Sequence, residues 1–233
     1  MLGSRFSRSA RFFVRPTIAA GLLLGCGVAA AAPPSFETED QELLYYWGTA
    51  LAQQVIDAGI TDEKSVEWVN KGLSDAAAGK SGQFGEEYRS LLNNYLVKRR
   101  KDAAELEAAA GRDFLQSLAR QRGARTTSSG VVILVTKAGR GARPDQDAKV
   151  TVHYTGTLRG GQIFDSSKER GAPFETRLSS VIDCWAEAIP ALKVGTQARI
   201  GCPPELAYGE RGSARIPGGS ALVFDIELLA TED

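Results

Sequence analysis

Apolar positions in the first half of the chain follow a helical spacing. A first stripe begins after Glu39 and stops before Gly59, and its members recur every three or four residues: Leu43, Leu44, Trp47, Leu51 and Val55. This spacing predicts an amphipathic helix that ends where glycine interrupts it. Thr61 or Asp62 supplies the N-cap of a second predicted helix, which continues to Gly79.

A third helical segment runs from Phe84 to about Arg122. About 38 residues at 1.5 Å each would make a rod of roughly 57 Å. Its two ends are apolar, whereas residues 98–112 are rich in alanine and charge. A helix that is polar all round usually bridges domains through solvent. We therefore expect the rod to dock at both ends and to be bare in the middle. The basic run 98–101 is interpreted as a solvated helix face, with a nucleic-acid or anionic-lipid patch as the alternative.

The first two predicted helices are too short to bury a sizeable core by themselves. They also carry apolar residues outside the main stripes, among them Tyr45, Tyr46 and Trp68. A homodimer that interleaves these helices with a second copy would cover such residues, and a compact three-helix monomer is the alternative. Residues 36–122 are accordingly predicted to form a helical dimerisation domain with a long connecting helix.

The pattern changes to strands after a polar hinge at residues 126–130. Runs rich in β-branched and aromatic residues are separated by glycine-rich turns, and only one short helix, Trp185 to Leu192, is predicted. The runs cover residues 131–137, 148–158, 197–202 and 221–229. Residues 126–233 are therefore predicted to form a second domain, and the chain as a whole is of the α+β class.

The first 32 residues have the organisation of an export signal. Four arginines and no acid precede an apolar run from Thr17 to Ala32, which is short for a membrane span. Two processing sites compete. Cys26 ends a lipobox-like sequence and would be lipidated, whereas Ala29 to Ala31 offers an ordinary signal-peptidase site; an uncleaved anchor is the third alternative. We expect a periplasmic or outer-membrane protein that contacts membrane only through a lipid at Cys26.

Composition and charge narrow the function classes. Basic and acidic residues number 28 each, so no basic excess indicates a nucleic-acid partner. Cys26, Cys184 and Cys202 are isolated, and His153 is the single histidine, so no zinc-type ligand set exists and we expect no metal and no cofactor. His153 is interpreted as a structural residue. Nucleophile elbows, phosphate loops and metalloprotease motifs are also absent from the sequence.

Three motifs in the second half resemble the FKBP family of peptidyl-prolyl cis–trans isomerases. They occur in the family's order and are VHYTGTLRGGQIFDSSKERGAPF, VIDCW and LAYGERGSARIPGGSALVFDIELL. The first half is similar in organisation to the dimerisation domain of the Mip and FkpA group of exported bacterial FKBPs. The resemblance implies an antiparallel sheet wrapped around one short helix, with a proline pocket between them.

The resemblance also implies a role for individual residues. Trp185 corresponds to the pocket floor, and Ile182, beside Val181 on the rim, would hold a substrate carbonyl through its backbone N–H. Tyr208 corresponds to the hydroxyl donor at the pocket edge. Asp165 would accept a hydrogen bond there, and Arg170 would orient Asp165 and Tyr154. The remaining residues carried over are the walls Tyr154, Phe164, Phe174 and Phe224, and Ile216 on a loop over the pocket.

Some positions depart from the family pattern. Thr176 replaces a common aromatic residue, and Arg215 places a charge beside Ile216, which puts the strength of macrolide binding in question. Cys184 lies beside the floor residue, and Cys202 ends a strand that passes near it in this fold. The resemblance therefore suggests a Cys184–Cys202 disulfide, with two buried free thiols as the alternative.

These observations predict an isomerase that assists the folding of exported envelope proteins. Its partners would be proline-containing unfolded or exported polypeptides, a second copy of the chain, and macrolide inhibitors. A non-catalytic holding chaperone that uses a dimeric cleft is the alternative.

Overall fold

A computed structural model describes residues 34–80, 82 and 84–232 of the 233-residue chain. The predicted signal segment, with its proposed lipidation site at Cys26, lies outside the described residues. Within the described part, no helix is long and apolar enough to cross a membrane.

Three helices form the first half, and a seven-stranded antiparallel sheet with one short helix forms the second. The helices are α1 (Glu39–Asp57), α2 (Glu63–Ala77), α3 (Glu86–Ala119) and α4 (Asp183–Ala188). The strands are β1 (Ala124–Thr126), β2 (Val132–Lys137), β3 (Lys149–Leu158), β4 (Ile163–Ser166), β5 (Phe174–Arg177), β6 (Gln197–Cys202) and β7 (Leu222–Glu232). Short 3₁₀ turns occupy Leu178–Ser180, Ile189–Ala191 and Pro204–Leu206. The predicted α+β class is confirmed, with a helical first half followed by an antiparallel sheet and one short helix. Strands β1, β4 and β5 lie outside the predicted strand runs, and the short helix is Asp183–Ala188 instead of Trp185 to Leu192.

The turn between α1 and α2 is fixed against α3. Gly59 has φ +74°, and a Cβ at this position would lie 2.6 Å from the carbonyl oxygen of Arg99, so only glycine allows the approach. Asp62 is the N-cap of α2 and accepts a 3.0 Å hydrogen bond from the Ser65 N–H. Its second oxygen pairs with the Arg99 guanidinium at 2.7 Å. The polar turn chemistry predicted around Asp62 therefore also attaches the helical pair to α3.

Neither α1 nor α2 buries a single residue in one copy of the chain. Tyr46, Trp47 and Trp68 are each more than three-fifths exposed. The compact three-helix monomer is therefore not the arrangement observed in the described residues, because such a bundle would bury these apolar side chains.

The expected bare middle of α3 is wrong. Its N-terminal half is exposed, as at Leu91, which is 60% accessible. Burial begins in the supposedly bare middle, at Ala104, and continues through Gly111 to Leu118. The physical reason is side-chain size, because alanine and glycine on one face allow close backbone approach while charged residues occupy the other face.

The sheet has the strand order β1-β2-β6-β7-β3-β4, with β5 paired to the other part of β3. All of its pairs are antiparallel. Along β3, buried Val150, Val152 and Tyr154 alternate with less buried residues, and these three face the core that also contains α4. A second, smaller cluster lies around Leu115 and Leu118, where α3 packs against β2 and Ala221.

A disulfide joins Cys184, in the first turn of α4, to Cys202 at the end of β6. Both residues are fully buried, and their Cα atoms are 5.7 Å apart. The bond closes a loop with a sequence separation of 18 and fixes the short helix to the sheet.

Replacing both cysteines with alanine is expected to lower the free energy of unfolding by about 3 kcal/mol, because the unfolded chain regains the freedom that the closed loop removes. Urea unfolding of the oxidised wild type and of the Cys184→Ala/Cys202→Ala variant measures this difference. As a control, reductant should destabilise the wild type and leave the variant unchanged. Coincident unfolding curves for the two oxidised proteins would contradict the expectation.

Candidate active site

A cluster of aromatic rings lies between the sheet and α4. Trp185 is at its centre and is 4% exposed. Its ring meets Tyr154 edge-to-face at 5.0 Å and Phe224 edge-to-face at 5.1 Å between centroids. Phe164 packs against Phe224 at 5.6 Å, and Phe174 against Tyr154 at 5.8 Å. Edge-to-face pairs of this kind fix ring orientations as well as burying apolar area.

Four strands and one helix supply these rings. Tyr154 comes from β3, Phe164 from β4, Phe174 from β5 and Phe224 from β7, while the first turn of α4 supplies Trp185. Gly156 makes room for the cluster, since a Cβ there would lie 2.6 Å from the Phe164 ring. The five aromatic residues predicted as floor and walls are therefore in contact with one another.

The rim is more accessible than the floor. Phe174 is 36% exposed and Tyr208 is 41% exposed. Val181 and Ile182 are half-buried at the start of α4 and pack against the same core. Ile182 is the N-cap of α4, and among the described residues its N–H donates to no protein acceptor. A donor in this position is available to a ligand carbonyl.

A polar cluster of Tyr154, Asp165 and Arg170 lies at one edge of the aromatic rings. The Tyr154 hydroxyl donates to the Asp165 carboxylate, and Arg170 forms an ion pair with the same carboxylate. Arg170 also donates to the Tyr154 hydroxyl at 3.0 Å, and its guanidinium carbon lies 5.5 Å from the centroid of the Tyr154 ring. The predicted orienting contacts of Arg170 with Asp165 and Tyr154 are both present.

The three groups shift each other's protonation. Burial, followed by the hydrogen bond to Asp165, raises the pKa of the Tyr154 hydroxyl. Burial alone would raise the pKa of Asp165, but hydrogen bonds from Tyr154 and Arg170 and the charge of Arg170 outweigh it and lower that pKa. Tyr154 therefore remains protonated and Asp165 ionised throughout the neutral range.

This arrangement predicts a flat pH profile for the pocket's activity. Because the pKa of Asp165 lies below its ordinary 3.8, the carboxylate is lost only as pH falls beneath that value. Because the pKa of Tyr154 lies above its ordinary 10.0, its proton is lost only as pH rises beyond that value. We expect kcat/KM to be constant between about pH 5 and pH 9. A bell-shaped profile inside this window would contradict the prediction and indicate proton transfer.

The loop between β6 and β7 packs against the same core as the aromatic cluster. Ile216 in this loop is 4% exposed and belongs to the core cluster that contains Trp185. The neighbouring Arg215 is exposed, and its guanidinium reaches the carbonyl oxygen of Phe164 at 3.4 Å. Its charged group therefore lies beside the backbone of β4. Thr176 in β5 is half-buried.

His153 has a structural environment. Its Nδ1 lies 3.1 Å from the hydroxyl of buried Ser167, and that hydroxyl accepts a hydrogen bond from the Tyr154 N–H at 2.8 Å. The described residues contain no group of three His, Cys, Asp or Glu side chains arranged to hold a metal ion.

Sequence reasoning missed one feature beside the site. Glu107 on α3 forms a bidentate salt bridge with Arg159, which lies in the turn that leads into β4. An acid and a base 52 positions apart give no periodic signal, so only the folded structure reveals the pair.

Comparisons with known proteins give one result for both halves of the chain. Residues 141–229 match the domain family "FKBP-type peptidyl-prolyl cis-trans isomerase", and residues 40–134 match the "domain amino terminal to FKBP-type peptidyl-prolyl isomerase". FkpA of Escherichia coli K12 is 36% identical over 214 residues, covering 86% of this chain and 79% of FkpA. Mip of Coxiella burnetii is 34% identical over 228 residues, covering 94% and 97%.

A solved structure agrees. The crystal structure of FkpA from E. coli superposes with a TM-score of 0.62 at 33% identity, covering 85% of this chain and 99% of that one. With this identity over most of both chains, and with the aromatic cluster around Trp185 in place, the chain belongs to the FKBP-type peptidyl-prolyl cis–trans isomerase family and is a peptidyl-prolyl isomerase.

Proposed function

We propose that the pocket floored by Trp185 is the active site, where the prolyl ring of an unfolded or exported polypeptide is bound while its X–Pro bond rotates. The observation that carries this proposal is a buried indole held edge-to-face by two rings, beneath a rim that remains open at Tyr208. A small apolar ring fits such a floor, and the extended chain on either side continues along the rim.

The chemistry requires no nucleophile. Rotation of an X–Pro bond is opposed by amide resonance, with a barrier of about 18–20 kcal/mol. The twisted amide loses resonance and much of its charge separation, so a dry apolar pocket favours it over the planar form. Each ~1.4 kcal/mol of such preference accelerates the reaction tenfold.

Polar groups at the rim would hold the substrate backbone in place on either side of the prolyl ring. The Ile182 N–H and the Tyr208 hydroxyl would donate to substrate carbonyls on either side of the prolyl ring. The ion pair of Asp165 and Arg170 holds the Tyr154 ring in place at the polar edge of the pocket. Apolar walls that are held in position in this way favour the twisted bond without proton transfer.

Tyr208→Phe is expected to lower kcat/KM about tenfold on a short X–Pro peptide, because one hydrogen bond to the bound substrate is lost at about 1–1.5 kcal/mol. Tyr95→Phe, on the exposed part of α3, removes an equivalent hydroxyl as a control and should leave the rate unchanged. Equal rates for Tyr208→Phe and wild type would remove the hydroxyl from the mechanism.

The helical first half supports a homodimer and the proposed domain boundaries, a dimerisation domain at 36–122 and an isomerase domain at 126–233. The exposed apolar side chains of α1 and of the first half of α3 need a partner, and a second copy of the same surface would provide one.

These side chains also favour a second function, in which a cleft of the dimer holds unfolded chains without catalysis. Stoichiometric and not catalytic amounts would then be needed to improve refolding.

Export to the periplasm or outer membrane is supported by the arginine-rich start of the chain and by the buried disulfide. Disulfides persist in oxidising compartments and are rare in the bacterial cytosol. The mature protein would begin either at a lipidated Cys26 or after Ala31, and its measured mass distinguishes the two. There the enzyme would assist the folding of envelope proteins, and its apolar pocket would also bind macrolide inhibitors.

A further inference from the structure

The second half of α3, residues 104–118, contacts two loops that border the pocket. One is the 203–221 loop between β6 and β7, which carries Tyr208 and Ile216. The other is the 159–162 turn between β3 and β4, which leads into Phe164 and Asp165. Residues 104–118 are called the docked half of α3 below.

The contact with the 203–221 loop is backbone against backbone. A Cβ on Gly219 would lie 2.0 Å from the carbonyl oxygen of Ala104, and one on Gly111 would lie 2.8 Å from the Cβ of Ala221. Ala104 is 3% exposed. At these two points neither surface can gain an atom without moving the other, so helix and loop are fixed against each other there. Between the two points, a cavity of about 420 Å³ separates residues such as Ala108 from the loop at Gly209.

The loop transmits the contact at Gly219 toward Tyr208 through its own hydrogen bonds. The Gly219 N–H donates to the Gly209 carbonyl at 2.9 Å, and the Gly209 N–H donates to the Pro204 carbonyl at 2.8 Å. Gly209 follows Tyr208 directly in the chain. Gly219, which packs against α3, is therefore hydrogen-bonded to Gly209, the residue that follows Tyr208.

The contact with the 159–162 turn is electrostatic. The Arg159 guanidinium donates to both Glu107 carboxylate oxygens, at 2.9 and 3.0 Å. The Glu107 side chain is 23% exposed, so the pair is partly shielded from water. Two parallel hydrogen bonds fix direction as well as distance, and they anchor the turn four residues before Ile163.

We propose that the docked half of α3 is a positioning element of the active site, with Ala104 holding the 203–221 loop and Glu107 holding the 159–162 turn. The connecting helix then sets the catalytic efficiency of the isomerase domain even for peptides too short to reach the helical arm. This inference rests on the proposed site around Trp185 and Tyr208.

The test compares variants of the full chain on a short X–Pro peptide. Ala104→Leu inserts a wedge beneath Gly219, and Glu107→Ala releases Arg159. Each is expected to raise KM about fivefold, which corresponds to one misplaced hydrogen bond, with kcat nearly unchanged. Ala109→Leu, on the exposed face of the same helix, and Asp102→Ala, which breaks an exposed ion pair with Lys98, are matched controls that should leave KM at the wild-type value.

A charge-swapped variant distinguishes a role in positioning the active site from a role in stability alone. The charge-swapped Glu107→Arg/Arg159→Glu variant is expected to return KM most of the way to the wild-type value, and it decides the question if Ala104→Leu does not fold. The proposal is overturned if the unfolding midpoint falls while KM stays at the wild-type value, or if Ala109→Leu raises KM equally. Wild-type kinetics in Tyr208→Phe would instead remove Tyr208 from the site, whatever the α3 variants do.

Discussion

Trp185→Leu is expected to lower kcat/KM for X–Pro isomerisation by about 30-fold. The smaller leucine side chain removes about 2 kcal/mol of apolar contact from the floor on which the prolyl ring rests. This contact stabilises the twisted transition state, so its loss raises the barrier to rotation. The edge-to-face contacts with Tyr154 and Phe224 also disappear, so the two walls lose their fixed orientation. A coupled peptide assay at a temperature well below unfolding measures the effect.

Trp68→Leu is the matched control for this variant. Trp68 lies on α2 and is 65% exposed, so the same substitution there leaves the pocket untouched. Its peptide activity should equal that of the wild type. Near-ultraviolet circular dichroism of Trp185→Leu establishes that the core remains packed. A folded Trp185→Leu protein with wild-type kcat/KM would remove the indole from the active site.

Substituting Leu44 and Trp47 with glutamate is expected to raise the dimer dissociation constant about 1,000-fold. The two side chains lie on α1 and are 64% and 62% exposed in one copy. Losing the burial of the four side chains costs about 4 kcal/mol per dimer, roughly 1 kcal/mol each, which converts to three powers of ten in affinity. Sedimentation equilibrium at micromolar concentrations measures the change from dimer to monomer.

Leu229→Glu is the control for this dimer prediction. Leu229 is an exposed leucine on β7, in the sheet domain and remote in sequence from the helical arm. It should sediment as the wild type does. A monomeric wild type at high concentration would contradict the proposed homodimer and leave the apolar faces of α1 and α3 to unfolded chains.

The helices and strands could be predicted from the sequence because their residues repeat at the period of each element. The stripe after Glu39 gives α1, and the alternation of Val150, Val152 and Tyr154 gives β3. Asp62 was recognisable as one of two N-cap candidates because an N-cap side chain bonds to a backbone N–H only three residues away, here that of Ser65. Such features depend on neighbours within a few positions, which a sequence displays directly.

The pocket could not be predicted from periodicity. Each of Tyr154, Phe164 and Phe224 reads as an ordinary core residue by itself, and it was the resemblance of whole motifs that grouped them. The middle of α3 was predicted wrongly to be bare, for a related reason. Alanines and glycines in a charged segment look like a solvated helix, whereas Ala104 and Gly111 lie against the 203–221 loop because they are small. Whether a small side chain lies in a close contact or in solvent depends on the segment that faces it in the fold. The residue pattern of the helix does not reveal that segment.

Refolding of a protein whose slow phase is limited by one X–Pro bond tests the central claim most directly. Wild type in catalytic amounts is expected to accelerate this phase, which takes about 10–100 s without a catalyst. The Trp185→Leu variant should lose most of the acceleration, and the Trp68→Leu variant should retain it. If the slow phase keeps its rate and only the refolding yield rises, at stoichiometric amounts of wild type, the pocket around Trp185 does not act as an isomerase on folding chains.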